Sequence, residues 1–310
     1  MNNLVFCLMG PTASGKTALA CELVERLPCE IISVDSAMIY RGMNIGTAKP
    51  CPQTLARAPH HLIDICNPDE SYSAAQFCQD TTALCQSILD KGKIPLLVGG
   101  TMMYFRALQA GLSLLPEANE TIRNQLVQEA SLHGWPALHA KLTLIDPVSA
   151  QRIHANDTQR IQRALEVYAL TGQSLTDCQR LSAQKAVFSF VNLMLLPNDR
   201  AWLHDRINLR FDDMLKEGLI DEMNDLLQQW PGIIESPALR CVGYRQVFDY
   251  LQGHGDKTTL CMKGQAATRQ LAKRQLTWLR NWSGGYRFSA ENSENITDVM
   301  AIMQQILDNT

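Results

Sequence analysis

Residues 4–17 read Leu4-Val5-Phe6-Cys7-Leu8-Met9-Gly10-Pro11-Thr12-Ala13-Ser14-Gly15-Lys16-Thr17. A short apolar run of strand length runs into G-x-x-x-x-G-K-T. The stretch 18–27, ALACELVERL, then carries the apolar spacing of a helix. Strand before and helix after is the setting in which such a loop cradles phosphate. Glycines let backbone N–H groups turn toward an anion, Lys16 adds a mobile positive charge, and the Thr17 hydroxyl can hold Mg²⁺. The loop points to a di- or triphosphate without saying which compound carries it.

Working outward, the segments 30–34, 61–65 and 94–98 read as further buried strands, and 73–90 and 101–110 as helices between them. Continuous apolar strands separated by helices imply an α/β fold: a parallel sheet with helices on both faces, like a P-loop NTPase. After Pro116 the pattern changes. Helices are predicted at 119–133, 135–144, 147–154, 157–171 and 174–184, with no convincing strand, and 187–196 resumes the sheet. Helical patterns follow at 199–230, 239–253 and 257–281, then a short strand signal and a last helix. The expected organisation is a catalytic core of 1–115 and 187–310 interrupted by an all-helical insertion at 116–186.

The 310 residues are 46% hydrophobic and 19% charged, as in an ordinary globular protein. No stretch has the length and apolarity of a membrane helix, and the N-terminal apolar run is too short for a signal peptide, so a cytoplasmic protein is expected. Ten cysteines without a C-x-x-C pair read as reduced, mostly buried thiols. A net charge of −3 argues against a uniformly basic RNA-coating protein. Yet from Lys257 to Ala290 there are seven Lys or Arg and no acid. Such a run is either a polyanion contact or a solvated basic helix face.

In an open parallel sheet, ligands bind beyond the carboxyl ends of the strands. The second strand ends at Asp35, followed by Ser36, Ala37 and Met38. A carboxylate there can hold Mg²⁺, accept a proton, or simply cap a loop. The fourth strand ends in Gly99-Gly100-Thr101 where a nucleotide hydrolase usually places a Walker-B carboxylate. That substitution permits close approach of a ligand to backbone, with a hydroxyl beside it. The Gly-rich stretch 41–50 is a connecting loop or a binding loop. Asp157 is a candidate helix cap, followed by Gln159, Arg160, Ile161, Gln162 and Arg163. The two arginines can face one polyanion together, or Arg163 can pair with Glu166. Arg240, Cys241, Val242, Gly243, Tyr244 and Arg245 combine glycine, an aromatic ring and two arginines, a mixture suited to base stacking beside phosphates. At helical spacing Arg269, Lys273 and Arg280 fall within roughly 40° of one another.

These motifs together resemble the tRNA dimethylallyltransferase family over nearly the whole chain. The strings that carry the resemblance are GPTASGKT (10–17), DSAMIYRGMNIGTAKP (35–50), VGGTMMYFRAL (98–108), NDTQRIQRALEVY (156–168), GLIDE (218–222), RCVGYRQ (240–246) and ATRQLAKRQLTWLRN (267–281). The resemblance implies transfer of a dimethylallyl group from dimethylallyl diphosphate to N6 of adenosine 37, next to the anticodon of tRNA, with Mg²⁺. By resemblance Asp35 is the base, Thr101 lies near the reacting centre, and Arg123 reaches the diphosphate or the target nucleotide. Amides 12–17, Lys16 and a metal at Thr17 would hold the diphosphate. The anticodon stem-loop would be gripped by residues 35–38, Thr101, Arg123, Gln159–Arg163, Arg240–Arg245 and the segment Lys273, Arg274, Gln275, Leu276, Thr277, Trp278, Leu279 and Arg280. The insertion would close over the tRNA from one side. The chain departs from many members at Met38, where they carry Gln, and at Met102. It has no C-terminal Cys/His pair of zinc-finger spacing, which fits the bacterial form. A monomer is expected.

Two other readings compete. A small-molecule or nucleotide kinase would share the loop and sheet but leaves the basic run unexplained. A non-catalytic RNA-binding module leaves Asp35 and Thr101 idle.

Overall fold

A computed structural model describes residues 3–111, 115–181, 187–292 and 294–309. The last residues of the helix expected at 174–184, from 182 on, lie outside these. The chain divides into two compact units, one of residues 1–109 and 187–310 and the other of 110–186.

The first unit is built on a six-stranded sheet in the order β3-β2-β4-β1-β5-β6. Its strands are β1 (Leu4–Met9), β2 (Cys29–Val34), β3 (His60–His61), β4 (Ile94–Gly99), β5 (Ser189–Leu196) and β6 (Tyr286–Ser289). Every pairing is parallel, with Phe6 opposite Leu96 and Val191. All six side chains of β1 are buried, as a central parallel strand requires. Leu4, Phe6 and Leu8 share a core with Leu19, Ala20 and Leu23 of α1 (Lys16–Arg26) and with Val299 and Met303 of α14 (Asn295–Asp308). The other sheet face is covered by α3 (Ala74–Asp90), which packs on β2 and β4. There Ser73 and Gln76 close a capping box at the helix start.

The strand expected at 61–65 shrinks to two residues. Leu62 and Asp64 adopt left-handed backbone, with φ of 61° and 55°. The segment instead turns to follow the preceding loop: Ile65 N–H donates to Ile39 O at 2.9 Å, and Asp64 takes the Lys49 ammonium at 2.5 Å. A short helix, α2 (Pro52–Arg57), begins in the segment after Lys49.

Beyond β5 run α10 (Arg200–Lys216), α11 (Leu219–Gln229), two 3₁₀ turns (Pro231–Glu235 and Ala238–Arg240), α12 (Tyr244–Leu251) and α13 (Lys257–Arg280). Gly218, at φ 103°, separates α10 from α11. The helix expected from 239 starts only at Tyr244, because Gly243 at φ 97° breaks the run. These helices build a second core with the loop after β2, through Ile39, Met43, Phe211, Leu219, Met223, Tyr244 and Leu260.

The first unit also holds α4 (Met102–Ala110), whose last residue falls in the second. The second unit is helical throughout its described part: α5 (Glu120–His133), α6 (Trp135–Ile145), α7 (Pro147–Arg152), α8 (Thr158–Thr171) and α9 (Leu175–Leu181). Its own core joins Leu126, Leu138, Leu142, Ile153, Ile161 and Leu165. No helix among the described residues is long and apolar enough to cross a membrane.

Candidate active site

The phosphate-type loop lies where β1 hands over to α1. Gly10 is required by space: a Cβ there would sit 2.7 Å from the Leu195 carbonyl oxygen. Ala13 and Gly15 both take positive φ, 63° and 92°, which curls the backbone into a nest. Ala13 is held on its outer side, where it packs against the cluster formed by Leu203, Ile207, Ala272 and Leu276 and its carbonyl accepts from Arg206 Nε at 2.8 Å. Pro11 and Ser14 are buried, whereas Thr17 is exposed. The Lys16 ammonium donates to Pro11 O at 2.6 Å. Burial lowers the Lys16 pKa to about 7; Asp35 opposes that shift and Arg210 adds to it. The Thr12 N–H, expected to face an anion, instead donates to Gln275 Oε1 at 2.8 Å. The nest proper therefore starts after Thr12.

Asp35 follows β2 at the same sheet edge. Its Oδ1 accepts the N–H groups of Ala37 at 2.8 Å and Met38 at 3.3 Å, an Asx-type turn that fixes the carboxylate. No described residue bonds Oδ2. Met38 is partly buried and contributes its backbone here. From the end of β4, Thr101 Oγ1 accepts the Ser36 N–H at 3.1 Å, and the two hydroxyls lie 3.4 Å apart. A Cβ on Gly99 would overlap the Val34 backbone, so β2 and β4 reach this closeness only with glycine. The structure thus brings the loop, Asp35, Ser36 and Thr101 together at the carboxyl edge of the sheet.

Two arginines that sequence reading did not single out join them. Arg206 and Arg210, one helical turn apart on α10, turn toward this edge. Arg210 donates to Thr47 O at 3.2 Å; burial lowers its pKa, while Asp35 raises it. The signal was present as R-x-x-x-R in RINLR, but nothing in the sequence says which way that helix faces.

The 41–50 loop is held by a residue from GLIDE. Glu222 accepts the backbone N–H groups of Asn44 at 3.0 Å, Ile45 at 2.8 Å and Gly46 at 3.2 Å, and the Tyr244 hydroxyl at 2.7 Å. Lys49, nearly buried, ties Tyr40 O, Asn44 and Asp64. Tyr244 is fully buried, and burial above all raises its phenol pKa. It is therefore a core residue and offers no face for a base to stack on, contrary to the sequence expectation for residues 240–245. Gly243 is buried beside it, Val242 is half-buried, and Arg240 and Arg245 are exposed, the latter 3.2 Å from Asp249. Cys241 lies close enough to Asp35 for the carboxylate to raise its thiol pKa, already pushed up by burial, to about 12.

On α13, Lys273, Arg274, Thr277 and Arg280 are exposed, whereas Leu276 and Leu279 are buried in the core. Those two leucines cannot touch RNA. Trp278 is half-buried under the Arg106 guanidinium at 5.5 Å. Arg269 leaves the expected track, because its guanidinium donates to Asn208 at 2.5 Å.

Within the helical unit, Asp157 caps α8 by accepting the Arg160 N–H. Gln159 and Arg160 are exposed, Gln162 donates to Arg123 O at 3.1 Å, and Ile161 is in the core and unavailable to RNA. Glu166, fully buried, accepts from Arg123 Nε at 2.9 Å, Arg163 at 2.6 Å and the Asn119 N–H at 2.7 Å. Burial raises the Glu166 pKa, but the bonds from Arg163, Asn119 and Arg123 outweigh it and leave the carboxyl below its usual value. Arg163 thus follows the ion-pair alternative, and Arg123 is committed to the same carboxylate.

The described residues contain no group of three or more His, Cys, Asp or Glu able to hold a metal. Cys7, Cys29, Cys66, Cys78 and Cys85 are buried outside any disulfide. The exposed Thr17 hydroxyl offers one oxygen of the kind that suits Mg²⁺, an ion that takes most of its remaining ligands from substrate phosphates and water.

The chain matches the family model described as IPP transferase over residues 38–282. It is 61% identical over 310 residues to a tRNA dimethylallyltransferase of Legionella pneumophila (strain Corby), covering 100% of this chain and 99% of that one. A tRNA dimethylallyltransferase of Coxiella burnetii (strain Dugway 5J108-111) is 51% identical over 306 residues, covering 98% of each. Among solved structures, the tRNA isopentenylpyrophosphate transferase of Bacillus halodurans superposes with a TM-score of 0.74 at 36% identity, covering 99% of this chain and 98% of that chain. With the phosphate-type loop, Asp35 and Thr101 meeting at one sheet edge, these likenesses make the chain a member of the IPP transferase family, the tRNA dimethylallyltransferases.

Proposed function

We propose that this protein transfers a dimethylallyl group from dimethylallyl diphosphate to N6 of adenosine 37 of tRNA, releasing diphosphate. The observation that carries the reading is the convergence of the loop after β1, Asp35 after β2 and Thr101 after β4, with Asp35 electrostatically linked to both Lys16 and Arg210. A base thus stands beside a phosphate cradle. The fourth strand closes in Gly99-Gly100, with no carboxylate of the kind that serves nucleotide hydrolysis.

The adenine N6 amine is a weak nucleophile because its lone pair is delocalised into the ring. As the N6–C1 bond forms and the allylic C–O bond breaks, the amine proton passes to Asp35 Oδ2. Oδ1 stays engaged by Ala37 and Met38, so the carboxylate keeps its aim. Negative charge grows on the leaving diphosphate, where the amides from Ala13 to Thr17, Lys16 and Arg210 receive it. Bound Mg²⁺, held at Thr17 and by the diphosphate, would neutralise part of that charge. Thr101, fixed through Ser36, supplies a hydroxyl beside the acceptor. On the first unit the exposed residues Lys273, Arg274, Arg280 and Arg240 are the candidates for holding the anticodon stem-loop, and on the helical unit, taken by itself, Gln159 and Arg160 are exposed for the same role. The target adenine leaves its stack at a cost of about a few kcal/mol. Arg123 and Arg163 act through the Glu166 cluster, which orders the helical unit for this task. A cytoplasmic enzyme working as a monomer fits these substrates.

The test is mass spectrometry of nucleosides from unmodified tRNA incubated with the protein, Mg²⁺ and dimethylallyl diphosphate. Adenosine heavier by one dimethylallyl group supports the reading. Unmodified adenosine, with ADP formed from ATP and a small acceptor, overturns it.

A further inference from the structure

Gln275 occupies α13 between exposed Arg274 and exposed Thr277, yet its side chain turns inward. Its Oε1 accepts the Thr12 N–H at 2.8 Å and its Nε2 donates to Gly100 O at 2.9 Å. Thr12 belongs to the loop after β1, and Gly100 to the loop after β4. Gly100 is followed directly by Thr101, which holds Ser36 beside Asp35. One amide therefore joins the leaving-group cradle to the strand end next to the base. The pair it bridges is a donor on one side and an acceptor on the other, so the tip must both accept and donate. A Cβ on Gly100 would overlap the Gln275 amide nitrogen and displace it, so the contact needs glycine there. The same helix contributes Ala272 and Leu276 to the small core cluster that Ala13 of the loop packs against. Its other face presents Lys273, Arg274 and Arg280 to solvent.

We infer that Gln275 is a positioning residue that couples RNA held on the basic face of α13 to the diphosphate cradle. RNA on that face fixes the helix, and the Gln275 amide passes the constraint to Thr12 and Gly100, stabilising the cradle in its anion-binding shape. The inference rests on the reading of the basic face given above. Coupling of this kind is reciprocal, so diphosphate must tighten RNA binding by the same factor.

The probe is inorganic pyrophosphate with Mg²⁺, titrated calorimetrically into the full-length protein with and without an anticodon stem-loop RNA. The expected result for the unaltered protein is pyrophosphate binding about fivefold or more tighter with RNA present. In Gln275→Ala and Gln275→Glu, whatever their affinity for RNA alone, pyrophosphate binds equally tightly with and without saturating RNA. Gln275→Glu fills the same volume and keeps the acceptor for Thr12 but cannot donate to Gly100; its added charge lowers pyrophosphate affinity with and without RNA alike, so the ratio of the two affinities is what reads the link. In turnover at saturating RNA, both raise KM for the prenyl diphosphate more than they lower kcat, a split that general destabilisation would not produce. Lys273→Ala weakens RNA binding and leaves RNA-free pyrophosphate binding unchanged. Tightening that persists in both Gln275 variants, or is absent from the unaltered protein while both ligands bind, overturns the inference. A protein that binds neither ligand contradicts the proposed function and the inference with it.

Discussion

Tyr244 donates its hydroxyl to Glu222 at 2.7 Å, and through that carboxylate a fully buried ring on α12 sets the backbone of the 44–46 loop. Removing the hydroxyl in Tyr244→Phe should cost about 1.5–3 kcal/mol, the worth of a hydrogen bond to a charged group. Tyr244→Ala also empties the core and should cost roughly 3–5 kcal/mol. Urea unfolding measures both. Tyr244→Phe with an unchanged midpoint would mean that the loop is fixed without this contact.

Glu166 makes the helical unit sensitive to acid. Its folded-state pKa lies below the ordinary 4.5, so it contributes stability that is fully present above the unfolded value and fades as pH falls through the lowered folded value. Glu166→Gln should destabilise by about 1–3 kcal/mol at neutral pH, since Arg123 and Arg163 lose a charged partner but remain partly in contact with water. Its stability should also vary less below pH 5 than that of the unaltered protein. Parallel pH profiles for the two proteins would show that this carboxylate carries none of the acid response.

The exposed face of α13 makes a claim about salt. The double reversal Lys273→Glu and Arg280→Glu should weaken tRNA binding and lower the slope of log K against log[salt] by about one for each lost phosphate contact. An unchanged slope would return that face to a solvated helix surface.

Much of this architecture is legible in the sequence because its signals are local. The strand–loop–helix order around Gly10–Thr17 and the apolar runs of β4 and β5 need no tertiary knowledge. The breaks at Gly218 and Gly243 were less visible, since a glycine marks a boundary only when its φ turns positive. HLIDI shows strand chemistry, yet the Lys49–Asp64 pair and the Ile39–Ile65 hydrogen bond turn it away after its first residue, His61. Tyr244 looked like a stacking platform because aromatic rings beside arginines suit both RNA contacts and cores, and only burial distinguishes them. Arg206, Arg210 and Gln275 owe their places to how α10 and α13 pack against the phosphate-type loop. That packing is fixed by residues far away in sequence, among them Gly264, which leaves room for the Phe211 ring.

Asp35 as the proton acceptor is the centre of the account. The direct test is single-turnover prenyl transfer by Asp35→Asn, with tRNA and diphosphate affinities measured on the same preparation. The variant keeps the size and the Oδ1 acceptor but cannot take the amine proton. The account predicts transfer slower by about 10²–10⁴-fold with both affinities retained. Transfer at a near-normal rate would contradict it.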